Sequence, residues 1–324
     1  MQALARRARV FEADGPQLGM SAASDASAAD GGPTTPLQAL LRQATRFETR
    51  FDNGGLVWHR WGLVGGSRRP LVLLHGGSGS WNHWVRNIDA LVAAGHELWV
   101  PDLPGFGESA APAVGEDADA LPEPVEQGLQ QLLGDAACNL VGFSFGGMVA
   151  GFLAERWPQR VARLVLVGAA GLGLDPAEPI VLKPWMLMRN ESSRAQAHRH
   201  NLAALMLWRA ASVDELAVAL HAANMPRDRL TRRRISRTDV LRRSLRRLAC
   251  PVHGIYGAQD VLFRGHHAAL AEALAEAPDF RGLQLVPEAG HWVQYERAAA
   301  FDQALARALD EDALQHPACE TTRA

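Results

Sequence analysis

Short apolar runs bounded by glycine, proline or polar residues recur along the chain and predict buried strands. These runs lie at 71–74, 97–100, 138–142, 163–168, 252–256 and 283–286. Between them, apolar residues recur at helical spacing over 81–94, 121–133, 145–156 and about 293–309. Strands that alternate with helices are typical of βαβ units. The pattern therefore predicts an α/β protein with a mostly parallel sheet and helices on both faces.

Two parts of the chain depart from this alternation. Residues 45–61 alternate in polarity around Asn53-Gly54-Gly55, which predicts a hairpin and makes a mixed sheet of about eight strands. Between the strands near 167 and 252, about 80 residues lack a strand pattern and contain helix-like stretches. Because this is too long for a crossover loop, we expect residues 176–245 to form a helical cap between strands six and seven, over the carboxyl edge of the sheet.

The same patterns set the expected domain boundaries. Residues 1–36 are rich in Ala, Ser, Asp, Gly and Pro without sustained periodicity, which indicates a flexible tail or an upstream start-site artefact. The α/β core is expected over 37–175 and 246–311, and a second tail over 312–324.

Composition narrows the function classes. The 324 residues carry 33 Lys and Arg against 35 Asp and Glu, so the net charge of −2 favours neither nucleic acid nor an anionic membrane. Ten arginines lie at 227–247, but Asp228 and Asp239 lie among them and no aromatic residue is interleaved. Binding of a substrate carboxylate by one of these arginines stays open. Three widely spaced cysteines, and no signal or membrane-span pattern, lead us to expect a cytoplasmic protein.

The stretch Gly142-Phe143-Ser144-Phe145-Gly146 lies between a predicted strand and a predicted helix. This is the G-x-S-x-G pattern of a nucleophile elbow in the required context. The sharp turn holds the serine in a strained backbone conformation, and small residues two positions away on either side prevent collisions. Ser144 is therefore the candidate nucleophile.

A serine hydroxyl is a weak nucleophile and needs a base that a third group orients. Asp260 and His291 follow the last two predicted strands, so both are expected at the same sheet edge as Ser144. The chain order Ser, Asp, His predicts that His291 is the base and that Asp260 orients it. Asp175, which follows the strand ending near 167, is the competing acid.

The glycine-rich loop after the strand at 71–74 completes the candidate site. A tetrahedral intermediate needs N–H donors for its oxyanion, and the backbone amides of Gly77 and Phe145 are the natural pair. We interpret His75 as a structural histidine that supports this loop. Asp102 precedes the serine and is better explained as a turn-forming side chain.

Together these motifs resemble the α/β-hydrolase fold over about residues 45–310. The motifs H-G-G, P-D-L-P-G-F-G-E-S, G-F-S-F-G-G, G-A-Q-D and A-G-H-W occur in the order of that family. The resemblance implies a serine hydrolase that needs no cofactor and carries a helical cap.

Within the family, R-N-I, L-V-L-V-G-A-A-G-L-G and G-H-W-V-Q-Y-E are similar to hydrolases that split carbon–carbon bonds in ring-cleavage products. That resemblance implies that Trp292 lines the substrate pocket, and we expect Trp81 and Phe143 to border it. Three features depart from the resemblance. The loop H-G-G-S-G-S differs from their H-G-x-G-P-G, Phe143 stands where they commonly have Asn or His, and their cap arginine cannot be placed on this sequence.

Several activities therefore remain open. The expected reaction is hydrolysis of a carboxylic ester or of an activated carbon–carbon bond in a small to medium, largely apolar substrate. The loop H-G-G-S-G also resembles that of proline iminopeptidases, which leaves an aminopeptidase as an alternative. A catalytically silent small-molecule-binding protein is the other alternative.

We expect neither a cofactor nor a metal. Residues 168–173 lack the G-x-G-x-x-G spacing of a dinucleotide loop. His198 and His200 are two positions apart, and His266 and His267 are adjacent, so neither pair has the i, i+4 spacing of a helical metal site. We interpret all four as surface histidines. A small-molecule substrate is the expected partner, and the sequence indicates no oligomeric state.

Overall fold

The computed structural model describes residues 35–310 except Asn53, Ser67 and Thr231. The predicted tail at 312–324 lies outside the described residues, and so does the tail at 1–36 except for its last two residues. Those two begin a helix, since the Thr35 side chain accepts a hydrogen bond from the backbone of Gln38 at the helix N-terminus.

The described residues form one eight-stranded sheet, as the sequence predicts. Its strands are β1 (Thr45–Phe51), β2 (Gly54–Trp61), β3 (Leu71–Leu74), β4 (Leu98–Pro101), β5 (Cys138–Phe143), β6 (Val161–Val167), β7 (Val252–Gly257) and β8 (Phe280–Val286). Their order in the sheet is β1-β2-β4-β3-β5-β6-β7-β8. The β1–β2 and β2–β4 pairs are antiparallel, and every other neighbouring pair is parallel.

The strand order reverses at β3, which has β4 on one side and β5 on the other. The connections that leave β3 and β5 therefore diverge, and a crevice opens at the carboxyl ends of these two strands. The glycine-rich loop follows β3, and Ser144 follows β5. The topology thus brings both motifs to one place.

Helices cover both faces of the sheet. They are α1 (Pro36–Gln43), α2 (Ile88–Ala93), α3 (Pro122–Leu133), α4 (Phe145–Arg156), α5 (Glu191–Asn201), α6 (Glu215–Asn224), α7 (Val240–Leu245), α8 (His267–Leu274), α9 (Val293–Glu296) and α10 (Ala298–Leu309). Apolar residues of α3, α4, α7 and α8 join one buried cluster, and those of α1, α2 and α10 join another. In β3 the side chains alternate between the two clusters, as a strand buried on both faces requires.

The segment between β6 and β7 contains α5, α6 and α7 and, among its described residues, no strand. One of the helix-like stretches expected in this segment, at 193–207, forms most of α5 and a turn of π-helix at Leu202–Met206 that follows it. Helix α7 packs directly on α4, where a Cβ at Gly151 would lie 2.3 Å from Leu241 Cδ1. No helix in the described part of the chain is long and apolar enough to cross a membrane.

Candidate active site

Ser144 lies at the turn between β5 and α4, where it is half-buried. Its backbone has φ 51° and ψ −113°, in the left-handed region that a side chain disfavours. The neighbouring glycines make the turn feasible. A Cβ at Gly142 would lie 2.5 Å from the Gly146 carbonyl oxygen, and a Cβ at Gly146 would lie 2.4 Å from that of His75. Only glycine fits at either position.

A continuous hydrogen-bonded chain joins Ser144, His291 and Asp260. His291 Nδ1 lies 2.8 Å from Asp260 Oδ2, and His291 Nε2 lies 2.8 Å from Ser144 Oγ. Because an ionised carboxylate only accepts hydrogen bonds, Nδ1 is the nitrogen that carries the proton. The lone pair of Nε2 therefore faces the serine hydroxyl. Asp260 is fully buried and His291 is 3% exposed, so water competes little for these bonds.

Asp260 and His291 are held by the close approach of the loops that follow β7 and β8. A Cβ at Gly257 would lie 2.0 Å from the Gly290 carbonyl oxygen, so these loops touch through their backbones. The other Asp260 oxygen accepts a hydrogen bond from the Leu262 amide at 3.0 Å. The carboxylate therefore has one oxygen fixed to its own loop and one to the imidazole.

Glu296 ties the His291 loop to the segment between β6 and β7. Its carboxylate accepts backbone N–H bonds from Gly290 at 2.7 Å, from Trp208 at 3.0 Å and from Arg209 at 2.6 Å. The Trp292 amide also donates to the Met206 carbonyl at 2.8 Å. The position of His291 thus depends on the segment between β6 and β7 as well as on the sheet.

The amides of Gly77 and Phe145, the predicted oxyanion donors, donate no hydrogen bond to any group in the described part of the chain. The loop that carries Gly77 is fixed by two histidines. Gly76 donates its N–H to His83 Nδ1 at 3.2 Å and accepts from His75 Nδ1 at 2.7 Å. The other His75 nitrogen, Nε2, accepts from the Leu103 amide at 2.9 Å.

Burial keeps both loop histidines neutral. It lowers the pKa of His75 to about 4 and the pKa of His83 well below its usual value. A neutral ring can accept at one nitrogen and donate at the other, as this loop requires. The interpretation of His75 as a structural residue agrees with these contacts.

Neither of the two other acids considered for the site is hydrogen-bonded to His291 in the described part of the chain. Asp102 Oδ1 accepts the Trp81 amide and its Oδ2 accepts the Glu108 amide, each at 2.9 Å, so this carboxylate fixes loops. Burial raises the pKa of Asp102 to about 6. Asp175 lines a cavity beside the segment between β6 and β7, whereas the hydrogen bond to His291 comes from Asp260.

The three predicted pocket residues are buried side chains. Trp81 packs against Trp61 with ring centroids 5.4 Å apart, and Phe143 packs against the His291 ring at 5.1 Å. Trp292 donates from Nε1 to the His83 carbonyl at 2.9 Å. None of the three belongs to the lining of the two cavities described next.

Two adjoining cavities lie beside the site. The first has a volume of about 350 Å³ and reaches His291, with Leu205, Leu207 and Trp208 among its apolar walls. The second, of about 710 Å³, is lined by the loop after β6 and by Leu262 and Phe263. The two share Leu205 and the stretch 178–180. Volumes of this size suit a small to medium ligand.

One of the four histidines that we expected at the surface, His198, is buried in the structure. His198 is 3% exposed, and its Nδ1 lies 2.9 Å from Nδ1 of His221, on α6. Trp185 covers the other side of the His198 ring at 5.3 Å. The contacts with His221 and Trp185 that bury this side chain cannot be predicted from the spacing of the histidines.

Comparisons with known proteins agree with this architecture. The model of a family described as alpha/beta hydrolase fold matches residues 69–298. The chain belongs to this family. The predicted fold class and the predicted hydrolase assignment are thereby confirmed.

Two curated relatives are informative. The chain is 29% identical over 252 residues to a 2-hydroxy-6-oxo-6-phenylhexa-2,4-dienoate hydrolase of Burkholderia cepacia, covering 74% of this chain and 86% of that one. It is 34% identical over 259 residues to the dihydrolipoyllysine-residue acetyltransferase component of the acetoin cleaving system of Pseudomonas putida, covering 76% of this chain and 65% of that protein.

Solved structures are similar in fold at lower identity. An esterase from Rhodococcus sp. ECU1013 aligns with a TM-score of 0.66 and 23% identity, over 83% of this chain and 99% of that one. A variant of the meta-cleavage product hydrolase CumD also aligns with a TM-score of 0.66 and 23% identity, over 82% of this chain and 98% of that one.

The sequence did not single out several residues that shape the site. His83 binds the amide of Gly76, whereas Glu296 and Arg233 bind loops more than 80 positions away along the chain. His83 lies in a segment with an ordinary helical pattern, and Arg233 is one of ten arginines in a run. No local signal separates them from their neighbours.

Proposed function

We propose that this protein is a serine hydrolase in which Ser144 is the nucleophile, His291 the general base and Asp260 the acid that orients it. The observation that carries the proposal is the hydrogen-bonded chain Ser144–His291–Asp260, with 2.8 Å at each link. It ends at a serine whose backbone is held at φ 51° beside two free amide donors.

The reaction begins with attack of Ser144 Oγ on a substrate carbonyl carbon. The hydroxyl proton moves to His291 Nε2, and the carbonyl π electrons become the oxyanion that the Gly77 and Phe145 amides hold. Collapse of this intermediate breaks the bond to the leaving group, which takes the proton from His291. Water, activated by the same imidazole, then hydrolyses the acyl-enzyme and releases Ser144.

The segment at 176–245 acts in this proposal as a cap over the site. Its contacts with both catalytic loops support this role, because Glu296 binds the backbone of Trp208 and Arg209 near His291. Arg233 reaches the loop of Gly77 from the same segment. Because His291 delivers the proton to the leaving group, the cavity of about 350 Å³ beside it is proposed to hold the leaving group.

For the substrate, we propose a small to medium, largely apolar ester or a vinylogous diketone whose carbon–carbon bond is cleaved. The carbon–carbon alternative is supported by the 29% identity to the dienoate hydrolase of Burkholderia cepacia. Cavities of about 350 Å³ and 710 Å³, whose walls combine apolar and polar residues, support a substrate of this size.

The deciding experiment compares wild type with Ser144→Ala on two substrates, each followed by absorbance. One is a short-chain p-nitrophenyl ester, and the other is 2-hydroxy-6-oxo-6-phenylhexa-2,4-dienoate, the compound in the relative's name. Serine-dependent loss of the dienoate at the higher kcat/KM would establish carbon–carbon hydrolysis. Cleavage of the ester alone would identify a carboxylesterase.

A protein that binds without turnover is the competing proposal. Labelling by a fluorophosphonate probe, with Ser144→Ala as the control, separates the two. Labelling that requires Ser144 supports the hydrolase. A folded wild type that neither labels nor turns over either substrate would refute it.

A further inference from the structure

Arg233 brings a cationic N–H group to the loop of the Gly77 amide. Its Nη1 atom is buried and has no hydrogen-bond partner among the residues that the structure describes. A Cβ built on Gly77 would lie 2.7 Å from this nitrogen and 3.6 Å from Phe145 Cβ. Nη1 therefore lies beside Gly77, where the missing Cβ leaves room for it, and the guanidinium also lies near the side chain of Phe145.

The rest of the guanidinium is held in place by the cap and by the loop. Arg233 Nη2 donates to Asp228 Oδ2 at 2.6 Å and to Ser78 Oγ at 3.2 Å. The rings of Phe106 and Phe145 each lie with their centroids 5.5 Å from the guanidinium carbon. The Arg233 side chain is 25% exposed, but its Nη1 is buried, and a buried donor without an acceptor is unfavourable unless something uses it.

The surroundings favour one acceptor oxygen over a carboxylate as the partner of Nη1. A carboxylate is bound best by two parallel N–H donors of arginine, and Nη2 is already occupied by Asp228. The Asp228 carboxylate, which is bound to the same guanidinium, would also repel the permanent negative charge of a substrate carboxylate. A single oxygen needs only one donor, and Asp228 opposes its negative charge only while the intermediate lasts.

We infer that Arg233 Nη1 is a third donor of the oxyanion site and stabilises the charge that develops on the reacting carbonyl oxygen. The inference rests on the proposed serine mechanism and deepens it. In the step concerned, Ser144 Oγ bonds to the carbonyl carbon, its proton passes to His291, and the new oxyanion accepts from Gly77, Phe145 and Arg233. The cap segment at 176–245 thereby contributes a catalytic group, Arg233, in addition to residues that line the cavities.

The first test measures kcat and KM on an uncharged p-nitrophenyl ester for Arg233→Met and for the control Arg232→Met. The side chain of Arg232 is 75% exposed and pairs with Glu116 at 3.6 Å. Arg232 is therefore an arginine of the same segment whose side chain is engaged elsewhere. Removal of one oxyanion donor lowers kcat by about 100-fold in comparable sites. We expect that loss for Arg233→Met, with little change in KM, and wild-type kinetics for Arg232→Met.

A second test separates a catalytic contact from support of the loop. Ser78 has φ 51°, and Ser78→Gly removes the hydroxyl that Arg233 binds while allowing the same backbone conformation. A role limited to loop support predicts equal losses for Ser78→Gly and Arg233→Met. An oxyanion contact predicts that Arg233→Met loses far more, and that Arg233→Lys does not restore it, since one ammonium paired with Asp228 leaves no rigid second nitrogen.

The most direct readout is inhibition by benzyl trifluoromethyl ketone, which Ser144 converts reversibly into a charged hemiketal. Its inhibition constant should rise by about 100-fold in Arg233→Met, because the adduct mimics the intermediate. Binding of benzyl methyl ketone, which stays uncharged, should not change. Equal effects on both ketones, or an unchanged kcat, would overturn the inference.

Two further outcomes are distinguishable. A loss confined to esters that carry a carboxylate would make Arg233 a determinant of substrate charge and would also overturn the inference. If Ser144→Ala retained activity, the proposed function itself would fail. An inactive Ser144→Ala beside a fully active Arg233→Met would leave the serine mechanism intact and remove only the third donor.

Discussion

Asp260 is the carboxylate that reaches His291, with Oδ2 at 2.8 Å from Nδ1. In the proposed mechanism, this bond fixes which imidazole nitrogen carries the proton and stabilises the imidazolium that forms during the reaction. We therefore expect Asp260→Asn to lower kcat by about four orders of magnitude, since an amide that donates to Nδ1 would select the wrong tautomer. Steady-state kinetics on a p-nitrophenyl ester measure the loss.

The matched control is Asp175→Asn. Asp175 also follows a parallel strand of the sheet, but among the described contacts the carboxylate that binds His291 Nδ1 is that of Asp260. We expect this variant to retain kcat within about threefold. A loss in Asp175→Asn with an active Asp260→Asn would exchange the roles of the two acids.

Ser144 combines its reactive position with backbone strain, since its φ is 51° and its ψ −113°. Glycine adopts this region without the clash that a Cβ creates. We expect Ser144→Gly to be more stable than Ser144→Ala by about 1 kcal/mol, although both lack the nucleophile. Urea denaturation of the two inactive variants checks this. Equal midpoints would mean that the turn stores no strain.

Gly146 packs its α-carbon against the end of β3. A Cβ there would lie 2.4 Å from the His75 carbonyl oxygen and 2.7 Å from that of Leu74. Gly146→Ala should destabilise the fold by about 2–3 kcal/mol and reduce activity, because α4 and the loop after β3 must separate. Gly66→Ala is the control, since its Cβ would meet only one atom, at 4.0 Å. Thermal denaturation and ester turnover together test the pair.

The stretch around Ser144 shows what local sequence can predict. The strand expected at 138–142 is β5 (Cys138–Phe143), and the helix expected at 145–156 is α4 (Phe145–Arg156). An apolar run, a glycine-bounded turn and a helical pattern are all encoded within about twenty residues. The α/β fold could be predicted because apolar runs, turns and helical patterns of this kind recur along the chain.

Helix continuity was harder to predict because tertiary contacts decide it. The closing helix expected over 293–309 is divided into α9 and α10 at Arg297, whose φ −128° and ψ 52° are not helical. The helical pattern at 81–94 likewise contains a 3₁₀ turn at Trp81–Trp84 and then α2. Apolar spacing alone is the same for a continuous and for an interrupted helix.

The contacts that complete the site join residues far apart in sequence. Arg233 meets the loop of Gly77 across more than 150 positions, and Glu296 binds the amides of Trp208 and Arg209 across more than 80. Such pairs depend on how the segment between β6 and β7 returns to the sheet. No pattern within that segment marks the residue that makes the contact.

Buried neutral histidines should make the folded state sensitive to acid. Burial lowers the pKa to about 4 for His59, His75, His221 and His253, against an ordinary value of 6.5. Between about pH 4 and pH 6.5, these histidines bind protons in the unfolded chain but stay neutral in the folded chain. The free energy of unfolding therefore decreases as the pH falls through this range. The loss is about 1.4 kcal/mol per pH unit for each ring. Two carboxyls oppose it, since burial raises the pKa of Asp102 and Asp302 to about 6.

Four rings against two carboxyls leave a net loss of stability as the pH falls, which one substitution can test. His59 lies on β2, packs on the Trp61 and Trp81 rings and has an unpartnered buried Nδ1. His59→Phe keeps an aromatic ring there and removes the titrating group. Urea denaturation at about pH 7 and about pH 4.5 should show a fall in the free energy of unfolding for wild type, and a smaller fall for His59→Phe. Identical pH dependences would mean that His59 stays equally protonated in the folded and unfolded states.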